Sequence, residues 1–334
     1  MTIRIAINGP GRIGRSIIRA IYEENFYDVE LVAINGSAPM ETIKHLLKYD
    51  SVHGHFNKSV EIKGNNLFID GRDIKLSAER DPKKLPWKNM NIDLVFECTG
   101  AFTSYKDAYQ HIEAGAKKVI ISAPAKEDSV KTIVYGVNDE KLLASDQVVS
   151  IGSCTTNCLA PIAKILNDSI GIEKGFMTTI HAYTNDQNIV DNTHKDLRRA
   201  RACAMSMIPT STGAAKAIGL VLPELNGKLD GVAIRVPTPN VSMIDLNFIA
   251  KKETSVKEIN EIISKACHGK MKGVLQFVEE PLVSIDFNHG KFSSCYDSTQ
   301  TKVIGGNLVK VCAWYDNEWA FSIRMLDVAR LMLT

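Results

Sequence analysis

The chain predicts a mixed α/β fold, in which an N-terminal Rossmann-type doubly wound parallel sheet precedes an α+β domain built on an antiparallel sheet. Three observations carry that reading. Short β-branched runs alternate with helical patterns through the first half of the sequence. A glycine-rich turn follows the opening run directly. Around residue 150 the character changes, and longer strand-like runs follow a polar stretch that lacks periodicity.

Strands are expected at Ile3–Ile7, Val29–Ile34, Ile92–Phe96 and Val119–Ile121, with helices near Arg12–Glu24 and Thr103–Ala114 between the outer pairs. Such alternation points to parallel strands joined by right-handed crossovers. A further run, Gln147–Ile151, leads into Ser153-Cys154-Thr155-Thr156-Asn157 and then the buried-helix pattern Cys158–Ile165. A strand is expected at Phe176–Ile180, followed by the polar stretch Tyr183–Pro209. Gly231–Val236, Val241–Ala250 and Leu308–Tyr315 read as strands of the second sheet. Glu318–Met332 has helical spacing and is expected to rejoin the first domain. The expected division is 1–150 with the C-terminal helix 318–334, and 151–317 for the second domain.

Composition excludes several classes of function. The 334 residues are enough for two cores, and 45% hydrophobic with 23% charged residues is ordinary for a globular chain. No apolar run approaches the roughly 20 residues that cross a bilayer. The opening strand pattern leaves no room for a signal peptide, so a cytoplasmic protein is expected. A net charge of +2 gives no charge-driven affinity for nucleic acid or membrane. Seven cysteines without a repeating framework point to reduced thiols. Cys154 and Cys158 are too far apart for a Cys-x-x-Cys pair, and no zinc-type spacing is present, so no metal is expected.

The first motif is Asn8-Gly9-Pro10-Gly11-Arg12-Ile13-Gly14-Arg15. Three glycines alone fit a plain tight turn equally well. Between a strand and a helix they fit a dinucleotide loop: Gly9 for the turn, Gly11 for close approach of the pyrophosphate, and Gly14 for helix–strand contact. The helix start then offers N–H groups to the phosphates. A carboxylate at the end of the second strand is expected where NAD is bound through its ribose hydroxyls. Here Asn35-Gly36-Ser37-Ala38 has none. That removes repulsion toward a 2′-phosphate, and Ser37 offers it a hydroxyl donor, so NADP or dual use is expected over strict NAD. The plainer alternative is an ordinary turn at Gly36 and Ser37.

The second motif is chemical. Cys154 lies where a strand-like run gives way to a helix, a place where the dipole and open N–H groups lower a thiol pKa and stabilise an oxyanion. Its small polar neighbours argue against an inert buried thiol, whereas Cys158 fits that description. A thiolate needs a base, and His181, following Phe176–Ile180, has the right titration range. The other histidines, His53, His55 and His194 among them, are read as surface or structural groups.

These motifs, with Asp196-Leu197-Arg198-Arg199-Ala200-Arg201, Thr212-Gly213-Ala214-Ala215-Lys216, Arg235-Val236-Pro237-Thr238-Pro239-Asn240 and Trp314-Tyr315-Asp316-Asn317-Glu318-Trp319, resemble the phosphorylating glyceraldehyde-3-phosphate dehydrogenase family over almost the full length. The resemblance implies that Cys154 attacks the aldehyde of glyceraldehyde 3-phosphate, with His181 as base, and that inorganic phosphate captures the thioester as 1,3-bisphosphoglycerate. It implies a substrate-phosphate site at Thr184 and Arg235, with Asp186 orienting the arginine. Ser153, Thr155, Arg199, Thr212 and Gly213 are implied around inorganic phosphate. The plainer readings are a solvated basic face for Arg199 and a sheet-surface ion pair for Arg235. For the cofactor it implies Arg12 and Ile13 along the pyrophosphate, Arg80 at the adenine side, Ser122 at the nicotinamide side, Thr99 and Gly100 closing the groove, and Asn317 on the nicotinamide amide. Arg80 also reads as a loop charge and Asn317 as a turn residue.

Two departures agree. The family's usual acid is absent at Gly36, and its usual apolar–proline pair in the S-shaped loop appears here as Asn192-Thr193. Both resemble NADP-accepting members, and a loop that reaches a neighbouring subunit implies a homotetramer. The competing readings are an erythrose-4-phosphate dehydrogenase, which hydrolyses its thioester, and a catalytically idle nucleotide-binding or adhesion protein. Thr184, Thr212 and Gly213 weigh against the first, Cys154 and His181 against the second.

Overall fold

The computed structural model describes residues 2–333. Contacts divide the described residues into two compact units: residues 2–133, 139–152 and 322–333 form one, and residues 134–138 and 153–321 the other.

The first unit is a nine-stranded sheet. At its centre lies β1 (Ile3–Asn8), parallel to β2 (Val29–Asn35) on one side and to Leu94–Glu97 on the other. Beyond Leu94–Glu97 come Lys118–Ile121, Val148–Ser150 and Lys131–Thr132, all parallel. The near-continuous burial of β1, β2 and Leu94–Glu97 is what a parallel strand covered on both faces requires. On the far edge Arg72–Ser77 runs parallel to β2, then Asn66–Ile69 and Val60–Lys63 add antiparallel strands. Helix α1 (Arg12–Glu23) buries Ile17, Ile18, Ala20 and Ile21. Helix α2 (Met40–Lys48) follows β2 and buries only Ile43 and Leu47, a pattern too sparse to read from sequence. Helix α3 (Tyr105–Glu113) starts at Ser104, whose hydroxyl accepts from Asp107 N–H.

The second unit has a seven-stranded sheet in the order Ile208–Ser211, Leu229–Val236, Ile172–Ala182, Ser242–Ala250, Leu308–Tyr315, Ser294–Ile304, Leu275–Val278. It is antiparallel except at two places: Ile172–Ala182 runs parallel to Leu229–Val236, and Leu275–Val278 to Ser294–Ile304. The first parallel pair arises because a long connection returns the chain to the same end of the sheet. Helix α4 (Cys154–Ile170), α5 (Ala214–Val221) and α6 (Val256–His268) pack with Val309, Val311, Ala313 and Tyr315 in one apolar core. These four alternate along their strand, so the face opposite them is left without that cover.

Residues 183–207 form neither helix nor strand. Side chains hold them instead: Asp191 pairs with Arg201 at 2.8 Å, and the Thr210 hydroxyl donates to Asp196 at 2.6 Å. Helix α7 (Trp319–Leu333) ends the described chain, and its residues from Ser322 onward belong to the first unit. Among the described residues no helix is long and apolar enough to cross a membrane, and no group of three or more His, Cys, Asp or Glu is placed to hold a metal ion.

Candidate active site

Helix α4 begins at Cys154 itself. Ser153 is its N-cap, extended at φ −103° and ψ 162°, and its hydroxyl accepts from Thr156 N–H at 3.0 Å. The cap fixes the start of the helix, and so the place of the sulfur. His181 is the penultimate residue of Ile172–Ala182, and its Nε2 lies 3.5 Å from Cys154 Sγ. Arg235 stands beside His181 because the two strands run parallel with these residues in register. Its guanidinium presses on His181 Nδ1, and Nη1 also donates to Ala182 C=O at 3.1 Å.

The electrostatics of this group differ from the sequence expectation. The helix start was expected to lower the thiol pKa, yet burial pushes Cys154 up, and the opposing pull of Arg235 and of the Thr155 N–H is smaller. His181 is 4% exposed; burial first, then the Arg235 cation, bring its pKa down to about 3. Without ligands the pair is therefore an uncharged thiol facing an uncharged imidazole. With its one ring proton on Nδ1, donated to Ala182 C=O at 2.7 Å, the neutral imidazole leaves Nε2 bare toward the sulfur, which is what proton abstraction from a thiol requires.

Tyr315 completes the group, and sequence reasoning passed over it although it lies in the Trp314-Tyr315-Asp316-Asn317 motif. Its hydroxyl is 2.8 Å from Thr155 Oγ1 and 2.9 Å from Thr179 Oγ1, and its ring meets His181 edge-on at 5.9 Å. One phenol thus ties the first turn of α4 to the strand that carries the base.

The residues expected to bind anions converge only in part. Asp186 was expected to orient Arg235, but it pairs with Arg199 at 2.5 Å. Burial pushes the Asp186 carboxyl up, and hydrogen bonds from Arg199 and His194 outweigh it, holding it below the ordinary carboxylate range. Arg199 also donates to Thr210 Oγ1 at 2.9 Å and to Ser211 C=O at 3.2 Å, which sets it beside the Thr212-Gly213 turn at the start of α5. Thr212 accepts from Ala214 N–H at 3.2 Å, and Gly213 has open space where a Cβ would stand. Thr184 is held by Gln187, whose side-chain oxygen accepts from its N–H at 2.8 Å. The Thr155 hydroxyl faces Tyr315, and that of Ser153 caps the helix, so each already has a structural bond. Asn317 is oriented by Ser242, whose hydroxyl donates to its Oδ1 at 2.9 Å.

In the first unit the loop after β1 has the form a dinucleotide needs. Gly9 adopts φ +97°, and a Cβ there would lie 2.8 Å from Thr99 N. A Cβ on Gly14 would lie 2.3 Å from Gly9 O, so only glycine lets α1 sit this close to the loop. Gly11, by contrast, faces open space and caps α1 without a side-chain bond, leaving room for a pyrophosphate against Ile13 and the helix start. The Arg12 guanidinium does not extend along this face as expected. It pairs with Asp50 at 2.6 Å and 3.2 Å.

A buried polar seam supports the loop from below. Trp87 donates to His111 Nδ1 at 3.1 Å, which leaves the ring N–H on Nε2, donating to Glu97 at 3.1 Å. Glu97 also accepts from Asn8 at 2.5 Å and from Thr99 N–H at 2.8 Å. Asn35 donates to Asn8 at 2.7 Å. Ser122 N–H donates to Glu97 C=O at 3.0 Å, Gly100 takes φ +74°, and Ser37 and Arg80 are exposed.

A Rossmann-type unit and a unit that sets a thiol against an imidazole together define a nicotinamide-dependent oxidoreductase with cysteine at its centre. Residues 3–105 match the family model "Glyceraldehyde 3-phosphate dehydrogenase, NAD binding domain", and residues 153–317 match "Glyceraldehyde 3-phosphate dehydrogenase, C-terminal domain". The chain belongs to the glyceraldehyde-3-phosphate dehydrogenase family. It is 59% identical to the glyceraldehyde-3-phosphate dehydrogenase of Xanthobacter flavus, over 99% of each chain. It is 56% identical to that of Cereibacter sphaeroides over 99% of each, and 54% to that of Geobacillus stearothermophilus over 98% of each.

Proposed function

We propose that the chain oxidises glyceraldehyde 3-phosphate to 1,3-bisphosphoglycerate through a thioester on Cys154. The observation that carries this reading is Nε2 of a neutral His181 set 3.5 Å from Cys154 Sγ, with Arg235 behind the ring. His181 Nε2 takes the thiol proton as Sγ bonds to the aldehyde carbon, then hands it to the new hydroxyl. It takes that proton back as the carbon is oxidised. The nicotinamide cofactor, when bound, supplies the hydride acceptor. Inorganic phosphate then bonds to the acyl carbon, the C–S bond breaks, and the sulfur regains a proton. Arg235 and Thr184 hold the phosphate of the substrate; Arg199, Thr212 and Gly213, with Ser153 and Thr155 at the helix start, receive inorganic phosphate. Arginine suits both sites, since it matches a dianion through two parallel donors.

The cofactor we propose is NADP, or NADP and NAD alike. No carboxylate stands at positions 36–38, where Ser37 is exposed, and Arg80 is exposed after the segment that pairs with the end of β2. A homotetramer is supported by apolar side chains that one chain leaves in water: Ile189 is 79% exposed, Leu197 82%, Met205 87%, and Phe176 on the open sheet face 59%. A cytoplasmic enzyme suits seven cysteines that all stand free. Initial rates with each cofactor, with and without phosphate, test the proposal. Phosphate-dependent acyl phosphate is expected; turnover independent of phosphate would favour thioester hydrolysis, as in an erythrose-4-phosphate dehydrogenase. Failure of iodoacetate to label Cys154 would favour the idle scaffold.

A further inference from the structure

Pro10 sits in the dinucleotide loop, and its ring lies against the end of β2. A Cβ built on Gly36 would stand 2.4 Å from Pro10 Cδ and 2.6 Å from Cγ. A pyrrolidine ring has no rotamer by which to withdraw. Gly36 is not among the glycines with positive φ, so its backbone does not by itself demand glycine. The proline does.

Neither backbone is free to give way. Gly9 N–H donates to Asn35 C=O and Gly36 N–H to Ser77 C=O, both at 2.9 Å. Arg15 Nη1 donates to Pro10 C=O at 2.8 Å. The Asn35 side chain donates to Asn8 and to Glu79 C=O, and accepts from Ser77 and from Glu79 N–H.

We propose that Pro10 is a specificity-determining residue: it bars every side chain, and so any carboxylate, from position 36. The cofactor's ribose then finds no carboxylate at position 36, and a 2′-phosphorylated dinucleotide is spared the opposing charge that an acid there would bring. The consequence for cofactor choice rests on the NADP reading above; the steric exclusion does not.

The test compares wild type, Gly36→Ala, Gly36→Asp, Pro10→Ala, Pro10→Ala/Gly36→Ala and Pro10→Ala/Gly36→Asp. Thermal midpoints are read together with NAD and NADP binding by equilibrium dialysis, without substrate. Gly36→Ala, the mildest change, is expected to lower the midpoint and weaken both dinucleotides by about tenfold, the scale of an overpacked contact. Pro10→Ala is expected to remove most of that penalty, and Pro10→Ala/Gly36→Asp to shift preference toward NAD by about tenfold relative to Pro10→Ala alone. The proposal is overturned if Gly36→Ala matches wild type in both readouts. It is equally overturned if Gly36→Asp, with Pro10 in place, binds NAD as tightly as the double variant does. A wild type that ignores NADP, combined with rescue of Gly36→Ala by Pro10→Ala, refutes the cofactor reading and supports the exclusion.

Discussion

Keeping the imidazole neutral has a thermodynamic signature. In the folded chain His181 titrates at about 3, through burial first and the Arg235 cation second. In the unfolded chain it titrates near its ordinary value of about 6.5. Between those limits the unfolded state binds the extra proton, so stability rises with pH across this window. The contribution is fully present above about pH 6.5 and is lost as the pH falls toward the folded value. Each pH unit below about 6.5 costs about 1.4 kcal/mol, so by about pH 5 the loss reaches about 2 kcal/mol. His181→Asn removes the titrating group. Chemical unfolding of both proteins between about pH 7.5 and pH 5, at one protein concentration, gives the difference directly. The wild type is expected to lose about 2 kcal/mol more than the variant over that range. Arg235→Gln, which removes the second cause only, should show an intermediate loss. A wild-type-minus-variant difference that stays flat with pH would refute the electrostatic account of the base.

Tyr315→Phe leaves the Thr155 and Thr179 hydroxyls without their shared partner. It is expected to cost about 1–3 kcal/mol in denaturant unfolding, and to lower kcat more than it raises KM for glyceraldehyde 3-phosphate. Glu97→Gln turns one arm of an acceptor into a donor that faces Asn8, Thr99 or His111. An unfolding cost of about 1–3 kcal/mol is expected, together with weaker dinucleotide binding by dialysis. Cys154→Ser should reduce acyl phosphate formation by about three orders of magnitude or more, since a hydroxyl at this place lacks a thiol's acidity and nucleophilicity. A coupled assay reads it, and undiminished product would defeat the thioester scheme.

Much of the fold was legible because its parallel strands are buried on both faces and read as apolar runs. β1 and β2 appear within a residue of where the sequence suggested, and so does the antiparallel strand Leu308–Tyr315, whose core-facing residues alternate. Elements whose apolar residues are few were not legible: α2 buries only two residues, and α6 shows three buried positions among thirteen. The nucleophile and base could be read because their chemistry restricts residue type. The charge state of Cys154 could not, because it depends on how much water the fold removes, and sequence neighbours do not report that. Asp186 went to Arg199 for a related reason: both lie in the irregular segment, where periodicity says nothing about which charges meet. The Pro10–Gly36 contact joins two loops far apart in sequence, and only the folded backbone shows that one explains the other.

The phenol of Tyr315 acts as a caliper. It sets the gap between the two reacting atoms from a position 160 residues beyond one of its partners, Thr155. Anyone wishing to widen or narrow that gap, to admit a bulkier aldehyde or to slow the attack, would leave 154 and 181 untouched and work on this one spacer.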